Sequence, residues 1–156
     1  MFYFHFLEKK PNDENYWTNQ LNTPARNVWN GLAFERVCMW HVANIKKALG
    51  IAGVLTDICA WRCSEDLDKG LLGSQIDMVI VRKDQVINLL EMKYSSAPYA
   101  ITKKTNTDLM RKRSDFITAT GTRAAIHLTM VVPFGIVRNT YAGNIQSEVV
   151  ADDLFD

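Results

Sequence analysis

The sequence predicts an α/β domain, and three observations carry that reading. Two apolar runs, Ile76–Val81 and Val86–Met92, flank the polar turn Arg82-Lys83-Asp84-Gln85, the signature of a β-hairpin. Upstream, Thr23-Pro24 opens a stretch with apolar residues at helical spacing that closes at Gly50. Downstream, a basic stretch ending at Gly121 leads into the apolar run Ala125–Val132, a helix followed by a buried strand.

In chain order, the first helix should run from about Pro24 to Leu49, with Thr23 as N-cap and proline at the first helical position. Its apolar stripe is Gly31, Phe34, Cys38, Val42, Ile45 and Leu49. Glu35 lies inside that stripe, whereas Arg36, Lys46 and Lys47 occupy another arc, so Glu35 is expected against the sheet. Val54 to Trp61 reads as the first strand and Cys63 to Gly70 as an acidic turn region. The hairpin follows, and Pro98 breaks the chain. A second helix is expected from about Thr102 to Thr120, with Leu109, Phe116 and Ile117 inward. Lys103, Lys104, Arg111, Lys112 and Arg113 make it basic, against only Asp108 and Asp115. After Ala125–Val132, Pro133-Phe134-Gly135 reads as a turn, and Ile136–Tyr141 with Ile145–Val150 as a terminal hairpin around Ala142-Gly143-Asn144.

At 156 residues the chain is long enough for a real core. A net charge of +1 excludes a globally basic protein, so a contact with nucleic acid must come from a local patch. Cys38, Cys59 and Cys63 form no Cys-x-x-Cys and lack zinc-ligand spacing; they read as thiols in a reducing cytoplasm. No apolar run approaches the roughly 20 residues that cross a bilayer. The start, MFYFHFLEKK, lacks a signal peptide's basic region and cleavage site. Phe2 to Leu7 is apolar on nearly every side chain and calls for cover, from an upstream domain or from a second copy through residues 1–10. Residues 1–22 are read as this apolar segment and a polar linker anchored by Tyr16 and Trp17, and 23–156 as the domain.

The hairpin carries the chemistry. Asp77 sits inside its first apolar run, and Glu91-Met92-Lys93 closes the second. Side chains alternate along a strand, so Glu91 and Lys93 share a face about 7 Å apart. A buried carboxylate needs a partner or a metal. Two acids and a lysine on one sheet edge suit a divalent cation that cuts phosphodiesters. Gln75, two residues before Asp77, falls on the same face; it is a substrate or metal-water contact, or a polar residue at a solvated strand end. Lys103 and Lys104, with Arg111 and Arg113, are candidate phosphate contacts, Lys103 foremost, or simply a solvated basic face. His41 lies on a different arc from Glu35, His127 reads as a core histidine, and Trp29, Trp40 and Trp61 as core or interface.

The order αβββαβ, with Glu35, Asp77, Glu91 and Lys93 at these places, resembles the PD-(D/E)xK nuclease superfamily over about Trp29 to Val132. The strings GLAFERVCMWHVANIKKALGI, GSQIDMVIVR and LLEMKYS look like the C-terminal nuclease-like domain of a family of bacterial and archaeal P-loop ATPases. That resemblance implies a restriction-endonuclease-like core, a central mixed β-sheet flanked by helices, and metal-dependent cleavage of DNA. It assigns Asp77 as central metal ligand, Glu91 as second ligand and the backbone carbonyl of Met92 as third. It gives Lys93 the attacking water or the phosphate charge, and Glu35 completion of the metal shell, directly or through water. Magnesium, or manganese, suits such oxygen ligands. It also implies a junction of FYFHFLEK with a winged-helix part. No G-x-x-x-x-G-K-[ST] occurs, so the chain is expected to be a fragment or a split gene. Two other readings stay open: a non-catalytic DNA-binding or regulatory module of an ATPase, and a domain that only pairs through its aromatic start.

Overall fold

The computed structural model describes residues 23–156; the expectations for residues 1–22 lie outside the described residues. By compactness the chain divides into two units after Ala33. The reason lies in the first helix, α1 (Pro24–Trp40): its buried side chains are Phe34 and Cys38, and none of residues 23–33 is buried.

In the second unit α1 ends at Trp40, and a short α2 (Val42–Ala48) follows. The single expected helix is broken at His41, whose N–H is shared between the carbonyls of Val37 and Cys38, both at 3.1 Å. The apolar stripe survives the break: Phe34, Cys38 and Ile45 are all buried.

Five strands form one open sheet in the order β1-β2-β3-β4-β5: β1 (Thr56–Asp66), β2 (Leu71–Arg82), β3 (Val86–Met92), β4 (Ala125–Val131) and β5 (Ser147–Val149). β1–β2 and β2–β3 are antiparallel; β3–β4 and β4–β5 are parallel. The chain crosses from β3 to β4 through α3 (Lys103–Thr120). Local chemistry fixes α3 at both ends. The Thr102 hydroxyl accepts the Thr105 N–H at 3.2 Å, and Gly121, at φ 61°, takes the left-handed turn that stops the helix.

Both faces of the sheet are covered, as a sheet with parallel strands requires. One face packs Val79, Ile87, Leu89, Leu128 and Met130 against Leu109 and Phe116 of α3. The other packs Met78, Ile80, Leu90, Met92 and Val131 against Phe34, Cys38 and Ile45. Adjacent residues therefore enter opposite cores, which explains why β3 and β4 read as unbroken apolar runs.

Two expectations are corrected. β1 does not stop at Trp61 but continues through the acidic segment to Asp66, because Glu65 and Asp66 pair with Leu72 and Leu71. The terminal hairpin does not form. Instead Ile136 bridges Tyr99 in parallel, with Tyr99 N–H to Gly135 O and Val137 N–H to Tyr99 O both at 2.8 Å. Ala142–Asn144 is a 3₁₀ turn, and β5 pairs with β4. The turn signal at Ala142-Gly143-Asn144 was real, but the strand partners on offer were non-local.

β2 changes character midway. Between the pairs Cys59↔Val79 and Trp61↔Ile76 the chain advances two residues on β1 and three on β2. This is a β-bulge, with Asp77 and Met78 opposite Ala60. Pairing of β2 with β3 also ends there, at Met78↔Leu90. Among the described residues, the half of β2 before Asp77 thus keeps only β1 as a strand partner.

Candidate active site

The splaying of β2 from β3 opens a cleft of about 460 Å³ lined by ten residues, among them Asp77, Glu91, Lys93, Gln75, Arg111 and Lys112. Asp77 is half-buried at its inner end. Its Oδ2 accepts the Met92 N–H at 2.8 Å, so a side chain takes over where the β2–β3 ladder stops. Burial, and then the charge of Glu91, push the Asp77 carboxyl above the usual range; the Met92 bond, Lys112 and Lys93 oppose this.

Glu91 is 6% exposed, in register with Met130 of β4. Both of its oxygens are held by ammonium groups. Lys93 Nζ lies 2.8 Å from Oε1, and Lys112 Nζ, arriving from α3, lies 2.5 Å from Oε2. Lys93 extends the sheet one residue past β3, donating its N–H to Val131 O at 3.0 Å. Burial alone would lower the pKa of its ammonium; the hydrogen bond and charge of Glu91, with Asp77 behind them, outweigh burial and hold it above the ordinary lysine value.

The expected convergence of Asp77, Glu91, Lys93 and Gln75 is therefore present. Glu35 is different. It feels the site, since burial and then the charge of Asp77 raise its carboxyl above the usual range. It does not line the cleft. Among the described residues no group of three or more histidine, cysteine, aspartate or glutamate side chains is gathered closely enough to hold a metal. Met92 meets Asp77 through its N–H.

A second hollow, of about 330 Å³, shares Glu91, Lys93, Arg111 and Lys112 with the first and continues along α3 to Lys104 and Asp108. Residues 104, 108, 111 and 112 fall on one face of a helix, at i, i+4, i+7 and i+8. Lys103 and Arg113 are exposed on other arcs and line neither hollow, which corrects the preference for Lys103 over Lys104. Arg111 pairs with Asp108 at 3.5 Å, while its Nε is buried with no hydrogen-bond partner. The first cleft also gains Arg62 from β1.

Sequence reasoning missed Lys112 as a site residue, and it missed Asp115. Asp115 is 2% exposed, and its carboxylate accepts the Leu72 N–H at 3.1 Å and the Ser74 hydroxyl. It ties the splayed half of β2 beneath α3. The spacing Lys104-Asp108-Lys112-Asp115 was the available signal. Of the remaining residues, Trp61 packs edge-on against Phe116 at 5.1 Å, whereas Trp29 and Trp40 are exposed. His127 is half-buried rather than a core residue. His41 is structural: Nδ1 donates to Val37 O at 2.8 Å, and its ring meets Phe155. Cys38, Cys59 and Cys63 are free thiols, and burial pushes that of Cys38 up to about 12. No helix among the described residues is long and apolar enough to cross a membrane.

No family model matches the chain, and no curated protein matches it in sequence. A solved structure of a protein of unknown function, AF1548, is similar at a TM-score of 0.48 and 15% identity; the match covers 72% of this chain and 56% of that one. This chain thus spans little more than half of that protein's length.

Proposed function

We propose that this cleft binds the phosphate backbone of DNA and that the domain hydrolyses a phosphodiester bond with a divalent cation, magnesium or manganese. One observation carries the reading: Asp77 and Glu91 line the same cleft as Lys93, at the point where β2 leaves β3. The donor set fits the ion. Asp77 is a half-buried carboxyl disfavoured by its neighbour Glu91, a conflict that a cation between them relieves. Magnesium in such sites takes one or two carboxylates and keeps several waters. The carbonyl of a strand residue leaves on the same side as its N–H, so that of Met92 faces the Asp77 side as well. When bound, the ion supplies an activated water and stabilises charge on the phosphate. Lys93 neutralises charge at the attacked phosphate. Gln75, Arg111 and Lys104 hold the flanking backbone, which gives affinity without sequence choice.

The test is cleavage of plasmid DNA with magnesium or manganese by the wild type, Asp77→Asn and Lys93→Ala. Cleavage lost in both folded variants supports the assignment; full activity in both rules it out. A specific observation favours a second reading, a DNA-binding or regulatory module without catalysis: both oxygens of Glu91 are already held by lysines. DNA binding that is unaffected by chelator, without cleavage by the wild type, is the outcome that selects it.

A further inference from the structure

We infer that Lys112 is a movable counter-ion that couples the loading of a divalent cation to the capture of a nucleic-acid phosphate. This rests on the reading above and adds a residue and a dependence that it does not contain.

The argument starts from Glu91. Its two oxygens each face one ammonium, so a cation ligated by Glu91 must displace one of them. Lys93 is the poorer candidate to leave. Its ammonium already has a place in the reading above, at the attacked phosphate beside Glu91. Lys112 reaches Glu91 from α3 on a flexible four-carbon stem. It is also the residue with somewhere to go. Its side chain, 17% exposed, lies where the two hollows join. Its neighbour Arg111 presents a guanidinium there with an unpartnered Nε, and Arg62 faces the same cleft from β1. An ammonium released from Glu91 therefore enters a space already lined by cations, where a phosphate oxygen is the natural replacement partner. Before loading, Lys112 neutralises Glu91; after loading, it serves the substrate.

Two ligands that share one movable group are linked, and the linkage is reciprocal: each tightens the other by the same factor. The experiment measures free Mn2+ by electron paramagnetic resonance, with and without a phosphorothioate oligodeoxynucleotide that resists cleavage, on the whole chain. In the wild type the oligonucleotide should tighten Mn2+ binding by a factor in the range of about 5–150. Lys112→Met should bind Mn2+ about tenfold more tightly without the oligonucleotide, since a competitor and a like charge are gone, and the coupling should shrink by a similar factor. Lys112→Arg should keep the coupling. Should Lys112→Met fail to fold, Lys112→Gln, which keeps a donor to Glu91 without the charge, replaces it. Unchanged Mn2+ affinity in the neutral variant, or undiminished coupling, overturns the inference and leaves the nuclease reading standing. No Mn2+ binding by the wild type overturns both.

Discussion

Two carboxylates, Glu91 of β3 and Asp115 of α3, are buried between the sheet and α3 about equally well, and they are held in opposite ways. Asp115 is satisfied by a backbone N–H and a hydroxyl, donors that belong to β2 and cannot leave without unfolding it. Glu91 is satisfied by two lysine side chains, and Lys112, which reaches it from α3, lines both adjoining hollows. Burial alone does not separate a strut from a site. The partners do: fixed neutral donors mark an acid that builds the fold, and mobile charged donors mark an acid whose partners can be exchanged for a ligand.

The largest expected effect tests the strut. Asp115→Ala leaves the Leu72 N–H and the Ser74 hydroxyl without an acceptor and should cost about 3 kcal/mol in urea unfolding, at roughly 1–3 kcal/mol for each orphaned group. A cost well under 1 kcal/mol would place Asp115 among the replaceable acids. A smaller effect tests the site. In a double-mutant cycle of Glu91→Gln and Lys112→Met, the pair should show a coupling of about 1–3 kcal/mol, because they form one buried ion pair. Lys112→Met should then cost less in the Glu91→Gln background than in the wild type. A coupling near zero would break the comparison from the other end.

The smallest effect concerns Asp77, whose carboxyl is held above its ordinary range. A raised value in the folded state means that the folded protein binds the proton more readily than the unfolded chain does. The stability this confers is complete below the ordinary carboxylate range and is lost as pH rises through the raised value. Asp77→Asn keeps an acceptor for the Met92 N–H and drops the charge, so in chelator at neutral pH it should melt a few degrees above the wild type. The gap should close in acid. A variant less stable at every pH would make Asp77 a strut of the Asp115 kind.

What the sequence made legible follows from the range of the forces involved. The hairpin, the caps of α3 at Thr102 and Gly121, and the joint placement of Gln75, Asp77, Glu91 and Lys93 are set by turn chemistry and strand alternation, and they read off directly. Lys112 was not singled out, although it lies three residues after Leu109 and four before Phe116, on the face of α3 that meets the sheet; in sequence it stood as one of five basic residues. The C-terminal segment misled because its turn is local, whereas the partners of Ile136 and β5, which are Tyr99 and β4, are remote in sequence. The break at His41 has no evident sequence signal. Glu35 was half legible. Helical spacing turned it toward the acids, but spacing carries no distance, and it stops outside the cleft.

The bulge at Asp77 works on β2 as a frameshift works on a gene. Downstream of it, Val79 faces the core beneath α3 and Ile80 the opposite core; upstream, even-numbered Ile76 packs with α3 and Ser74 reaches Asp115. One extra residue has inverted the phase of everything before it. Deleting Met78 would restore an uninterrupted ladder with β1 and leave Ile76 and Ser74 on the α3 face, but alternation would then turn Asp77 to the opposite face, away from Glu91. The strand is spelled in two reading frames, and the candidate site sits at the junction between them.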